Sequence, residues 1–292
     1  MTKFRDRLSQ LGILVADGAT GTTLQRSGLP AGMAPERWNL ENPDAIRALH
    51  RAFIEAGSDL ILTNTFGGSR PRLEMESLGD QVHEVNLAAA RLAREVAGDR
   101  AFVLGDMGPT GQLMKPMGTL TYEDAVAAFA EQSAALAEGG VDAILIETMS
   151  DLGEAKAAVE GARQATDLPI LVTMSFDTHG RTMIGVKPAD AARELWVMGV
   201  DAVGANCGRS LTDNLEAIRQ MREAVPEATL MAKPNAGLPR MEGVESIYDV
   251  TPEIMADYSR EFAALDVKIF GGCCGSTAEH IKAVSLALRN GD

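Results

Sequence analysis

Val141-Asp142-Ala143-Ile144-Leu145-Ile146-Glu147 is a short, mostly apolar run with Asp142 near its start and Glu147 at its end. Asp151–Ala165 follows with helical spacing of small and apolar residues, and Pro169-Ile170-Leu171-Val172-Thr173-Met174-Ser175 is a second apolar run. Strand, helix, strand in this order describes a parallel βαβ unit. Working outward, the pattern repeats to both ends of the chain. Towards the N-terminus it predicts strands over 101–105, 59–63 and 12–16, with helices over 122–138, 81–96 and 44–56. Towards the C-terminus it predicts strands over 200–205, 229–233 and 267–271, with helices over 188–197, 211–224, 252–264 and 277–288. Eight units in strict alternation imply closure as a (β/α)8 TIM barrel, a single α/β domain over residues 1–292. An open doubly wound sheet is the alternative.

Local signals support the register. Asn42-Pro43 and Thr251-Pro252 place proline at a first helical position. Thr121 with Asp124, and Ser276 with Glu279, have capping-box spacing. Three connections after strands are long, at 18–42, 105–121 and 234–250, and all belong to the face where barrel active sites are built.

Composition narrows the function. Of 292 residues, 46% are hydrophobic, enough for a full core. Lys+Arg 27 against Asp+Glu 41 gives a net charge of −14, a poor basis for binding nucleic acid or an anionic membrane. No apolar run reaches membrane-spanning length, and the N-terminus lacks a signal-peptide pattern, so the expected location is cytoplasmic.

The chain has three cysteines, and each sits among glycines just past a predicted strand. Cys207 lies in Gly204-Ala205-Asn206-Cys207-Gly208, after the sixth run. Cys273 and Cys274 lie in Gly271-Gly272-Cys273-Cys274-Gly275, after the eighth. The sixth and eighth strands contribute to one layer of a barrel, so the three thiols can meet at its mouth. Gly271, Gly272 and Gly275 are expected to permit backbone angles that turn adjacent thiols to one side. Three inert, buried thiols are the plain alternative. As a metal site this set gives three soft ligands and an open fourth position, the pattern of catalytic Zn²⁺. The four histidines are scattered; only His179 follows a strand, as a weaker candidate ligand.

Acidic residues also gather at strand ends. Asp17 and Glu147 abut apolar strands, and Asp106 and Asp177 follow strands three and five. Two carboxylates near a bound cation can grip a substrate ammonium. Gly18 and its neighbours free backbone N–H groups for a carboxylate. Together these features describe a pocket for a thiol-bearing amino acid.

Seven motifs occur in order: Asp17–Gly21, Thr63–Gly68, Gly108–Gly111, Glu147–Asp151, Gly204–Gly208, Pro234–Gly237 and Gly271–Gly275. With them the chain resembles the zinc-dependent homocysteine S-methyltransferase family, and in particular the homocysteine-binding domain of cobalamin-dependent methionine synthases. The resemblance implies a (β/α)8 barrel, zinc on Cys207, Cys273 and Cys274 as the catalytic centre, and homocysteine as methyl acceptor. It also implies that Asp17 and Glu147 hold the homocysteine amino group and that Asn235 lies near the metal. Asp17, Gly18, Glu147 and Asn235 are the expected substrate-binding residues. No corrinoid module is evident in these 292 residues, so the expected donor is methylcobalamin carried by a separate corrinoid protein. Betaine or S-methylmethionine is the alternative donor, and a non-catalytic zinc- and homocysteine-binding subunit is the alternative of another class. Betaine needs an aromatic cage. Trp38, Phe66, Tyr122 and Tyr248 are the few aromatics expected near the mouth.

Overall fold

Each of the eight apolar runs forms a strand. The computed structural model describes residues 3–242 and 245–289. The strands are β1 (Leu14–Val15), β2 (Leu60–Leu62), β3 (Phe102–Met107), β4 (Ala143–Met149), β5 (Ile170–Met174), β6 (Ala202–Cys207) and β7 (Leu230–Pro234). An antiparallel hairpin of β8 (Arg240–Glu242) and β9 (Glu245–Ile247) comes next, and β10 (Val267–Phe270) is the eighth barrel strand. The sheet order is β1-β10-β7-β6-β5-β4-β3-β2, with every neighbouring pair parallel. A parallel bridge between Ala16 and Leu60 joins the two ends and closes the barrel. The expected fold is therefore the observed one.

Side chains alternate across a strand, so one set packs under the helices and the other fills the barrel. Val103, Ile144, Ile146, Val172 and Val203 pack outward with the helices. Leu60, Leu104, Leu145, Leu171, Ala202, Met231 and Ile269 form the inner layers. The N-terminal helix Lys3–Leu8, not foreseen in the sequence, adds Phe4 to this inner cluster. Phe4 meets Phe102 edge-on at 5.3 Å between ring centroids. Arg5 anchors the helix by donating to Asp201 at 2.6 and 3.1 Å.

Three strands run two residues further than expected. β3 includes Asp106, β4 includes Thr148, and β6 continues through Asn206 to Cys207. The apolar runs end below these residues, but the ladder continues above them, where the interior turns polar. Proline opens the helices Pro43–Glu55 and Pro252–Ala264 as expected. Thr121 caps its helix by accepting from the Asp124 amide at 3.1 Å. Ser276 does not cap the last helix. Its hydroxyl donates to the Cys273 carbonyl at 2.7 Å, bracing the cysteine turn, and the helix Ala278–Arg289 starts two residues later. No helix among the described residues is long and apolar enough to cross a membrane.

Candidate active site

The polar top of the interior follows from the same alternation. Asp106, Glu147 and Lys233 each stand two residues beyond an inner-layer residue: Leu104, Leu145 and Met231. They therefore point into the barrel, one layer above the apolar fill. Thr173 follows Leu171 in the same way. Above this layer opens a cavity of about 590 Å³, lined among others by Gly18, Thr20, Glu36, Phe66, Arg72, Asp106, Glu147, Lys233 and all three cysteines.

Sheet order places the cysteines together. β7 lies between β6 and β10, and its C-terminal end stitches both cysteine segments. Cys207 pairs in register with Pro234. The Cys273 amide donates to the Pro234 carbonyl at 2.8 Å, and the Ala236 amide donates to the Cys274 carbonyl at 2.9 Å. Cys207 Sγ and Cys273 Sγ are 3.0 Å apart, and the three sulfurs lie within 4.8 Å of one another. They are the only such candidate metal group among the described residues.

The backbone is bent to achieve this. Cys207 has φ 56°, in the left-handed region, followed by Gly208 at 82°. Gly275 has φ 80° and lies against Tyr248, where a Cβ would sit 2.2 Å from the ring. Gly271 and Gly272 serve differently from expectation. Neither has positive φ; both are needed for close approach. A Cβ at Gly271 would meet Ala16 and the Asp17 carbonyl at 2.8 Å, and one at Gly272 would meet Ser276 Oγ at 2.1 Å.

Asn206 organises the sulfurs, a role not evident from sequence. Its Oδ1 accepts from the Thr148 amide and the Thr173 hydroxyl, each at 2.8 Å. Its Nδ2 donates to Thr148 Oγ1 at 2.6 Å and faces Cys207 Sγ and Cys273 Sγ at 3.7 and 3.9 Å. Hydrogen bonds from Cys207 and then Cys273 pull the Cys274 thiol down to about 3. Hydrogen bonds with Cys273 and then Cys274 raise Cys207 well above the usual thiol range. A bound cation would favour the deprotonated form of all three thiols.

Beside the sulfurs lies a buried ionic group. Lys233 Nζ sits 3.5 Å from Asp17 Oδ1 and 3.6 Å from Glu147 Oε2. Burial pushes Asp17 up to about 6 and Glu147 up to about 7, although Lys233 opposes both shifts. Burial also raises Asp106 well above the usual carboxylate range, and Glu147 adds to this. Burial lowers Lys233, but the charges of Glu147 and Asp17 outweigh it and the net shift is upward. Lys233 was missed in the sequence. The signal available was the inward register of Met231, which aims Lys233 into the same space.

The expected substrate residues divide. Gly18 and Glu147 line the cavity; Asp17 and Asn235 do not. Asp17 lies beneath the cavity, its Oδ2 accepting from the Leu62 amide at 2.8 Å. Asn235 Nδ2 donates to the Gly208 carbonyl at 2.8 Å, so it steadies the Cys207 turn. His179 is exposed and borders a separate small cleft with Asp177 and Arg209. His280 bonds Thr277 and the Val250 carbonyl, and His83 pairs with Glu138 at the surface. Of the aromatics expected at the mouth, only Phe66 lines the cavity. Trp38 is buried in the core, Tyr122 bonds Glu160 at the surface, and Tyr248 packs on Gly275.

The homocysteine S-methyltransferase family model matches residues 14–288. The chain belongs to this family. It is 32% identical over 296 residues to methionine synthase of Mycobacterium leprae, covering 94% of this chain and 24% of that protein. It is 33% identical over 308 residues to methionine synthase of Mycobacterium tuberculosis, covering 99% of this chain and 26% of that protein. The chain thus spans about a quarter of the length of these relatives. The metallated crystal structure of the homocysteine methyltransferase MmuM from Escherichia coli shares the fold. Its TM-score is 0.81 at 22% identity, over 97% of this chain and 98% of that one. A methyltransferase from Methanosarcina mazei matches with a TM-score of 0.65 at 12% identity, over 98% of this chain and 97% of that one.

Proposed function

We propose that this chain transfers a methyl group to the sulfur of homocysteine, forming methionine, with zinc held by Cys207, Cys273 and Cys274. The convergence of three sulfurs at the wall of an acidic cavity carries the reading. The donor set fits zinc: three thiolates suit a borderline-soft divalent ion and leave one position for a substrate sulfur. Zinc, when bound, would ionise the acceptor thiol at neutral pH.

The residues of this chain do the rest. Asn206 holds the sulfurs through Thr148 and Thr173, and Asn235 fixes the turn that carries Cys207. Glu147, with Asp17 beneath it, makes the inner end of the cavity negative, as an α-ammonium requires. Gly18 lines the cavity beside the helix Thr20–Arg26, with Phe53 and Ser276 packed where a Cβ would stand. That helix starts without a side-chain cap, so backbone N–H groups there suit the substrate carboxylate. In the transfer, the bond from the donor to the methyl carbon breaks and a carbon–sulfur bond forms, while the acceptor gives up its thiol proton.

The cavity is larger than a small amino acid needs, leaving room for a donor group beside the acceptor. A quaternary ammonium favours an aromatic cage, and Phe66 is the one aromatic residue lining this cavity. The proposed donor is accordingly a methylated corrinoid carried by another protein or domain. The test is methionine formation from homocysteine with methylcobalamin, a methylated corrinoid protein, betaine or S-methylmethionine. Turnover with a corrinoid donor is the expected outcome. Turnover with betaine alone would overturn the donor assignment, and homocysteine binding without turnover by any donor would favour a non-catalytic subunit.

A further inference from the structure

The hydrogen bonds around Asn206 have a direction. Asn206 is fully buried on β6, beside Cys207, and its side chain bridges three neighbouring strands, β4, β5 and β6. The Thr148 amide can only donate, so the Asn206 atom 2.8 Å from it is the oxygen. The Thr173 hydroxyl donates to the same oxygen at 2.8 Å. These two bonds fix the amide with its nitrogen towards the sulfurs. Asn206 Nδ2 donates to Thr148 Oγ1 at 2.6 Å and to Cys207 Sγ and Cys273 Sγ at 3.7 and 3.9 Å. Thr148 Oγ1 accepts from Asn206, which leaves its own proton for Cys207 Sγ at 3.8 Å. None of these bonds reaches Cys274. The backbone bends at both ends of the network. Thr148 has φ 62° and Cys207 φ 56°, and the β4–β5 register shifts between Ile146 and Met149. Two non-glycine residues in the left-handed region persist only where their surroundings hold them, and Asn206 pins the Thr148 amide.

We propose that Asn206, with Thr148, is a positioning residue that sets how much charge two of the three metal-binding sulfurs donate. It acts through Cys207 and Cys273. The assignment rests on the metal–thiolate reading above. A thiolate only accepts hydrogen bonds, so the Asn206 amide and the Thr148 hydroxyl both donate to sulfur once Cys207 and Cys273 are ionised. A hydrogen bond to an ionised acceptor is strong, and burial strengthens it further. It draws charge from the sulfur that accepts it. Cys207 and Cys273 therefore donate less to a bound metal than Cys274 does. Weaker donation from the ligands favours capture of a substrate sulfur, and it leaves that sulfur less nucleophilic. The network thus strengthens acceptor binding and restrains reactivity.

The test uses protein loaded with cobalt(II) in place of zinc, because sulfur-to-cobalt charge-transfer absorption reports the charge on the ligand sulfurs. Asn206→Asp keeps the accepting oxygen and replaces the donor with a second oxygen. Asn206→Ser removes the amide donor without adding charge. In both variants the band should move to longer wavelength, since sulfur electrons free of hydrogen bonds are held less tightly. Homocysteine, titrated by the same absorption, should bind about tenfold more weakly, the lower end for loss of a group that orients a metal ligand. Bound homocysteine should be alkylated by methyl iodide at least as fast as in the wild type. A scaffolding role alone would slow alkylation and leave the band unmoved. An unmoved band in both variants, or a shift in Asn206→Asp alone, would overturn the assignment. If neither variant retains cobalt, Thr148→Ala is read in the same way. Absence of a thiolate band in the wild type would instead sink the metal reading, and this assignment with it.

Discussion

Replacing Lys233 with methionine keeps length and bulk but removes the buried cation from three carboxylates. Two contacts are lost, at 3.5 and 3.6 Å. At an effective dielectric of ~20, each amounts to about 5 kcal/mol of attraction. Removing a buried ammonium also removes its desolvation cost of several kcal/mol, so a net loss of about 3–5 kcal/mol is expected where the carboxylates are charged. The loss has a pH signature. Asp17 and Glu147 lie at about 6 and 7 in the fold, above their ordinary 3.8 and 4.5. Between those values the folded state binds more protons than the unfolded chain, so stability falls as pH rises through the window. Lys233 restrains that fall. Without it, the folded values rise further and the decline extends to higher pH. Urea unfolding with chelator present, at pH 5.5 and 8.5, measures it. The Lys233→Met deficit should be small at pH 5.5 and reach its full size at pH 8.5. Equal deficits at both pH values, or one below about 1 kcal/mol at pH 8.5, would refute the reasoning.

Gly275→Ala forces a Cβ into the ring of Tyr248 at a backbone angle that favours glycine, so bound zinc should fall well below one per chain while the circular dichroism of the barrel persists. Metal analysis showing full zinc would contradict this. His50 is fully buried with neither ring nitrogen hydrogen-bonded, and burial lowers it to about 4 from 6.5. The unfolded chain therefore takes up a proton as pH falls through that window, and the fold loses up to about 3 kcal/mol. His50→Leu should flatten urea stability between pH 6.5 and 4; an unchanged slope would dismiss His50 as its source.

Most of the fold was legible because a parallel barrel buries its strands on both faces and so leaves continuous apolar runs. The same signal hid the strand ends. Asp106, Thr148, Asn206 and Cys207 belong to the ladder, but their polarity reads as loop. The cysteine cluster was legible because its three sulfurs sit among glycines at two strand ends. Lys233 was not, because one lysine closing an apolar run looks like a residue leaving the core for solvent. Its burial depends on Asp17 and Glu147, 216 and 86 residues away in sequence, which only strand order brings alongside. The surroundings of Asp17 were hidden for the same reason. Its strand-end position was evident, but its commitment to the Leu62 amide comes from closure of β1 onto β2. Asn235, expected near the metal by resemblance, holds the Gly208 carbonyl next to Cys207, a contact that no local pattern announces.

X-ray absorption at the zinc edge, on protein purified with zinc and then titrated with homocysteine, tests the central claim most directly. Three sulfur neighbours from Cys207, Cys273 and Cys274 are expected before addition, and four after it. Fewer than three sulfurs at the start, or a count that homocysteine leaves unchanged, would contradict the account.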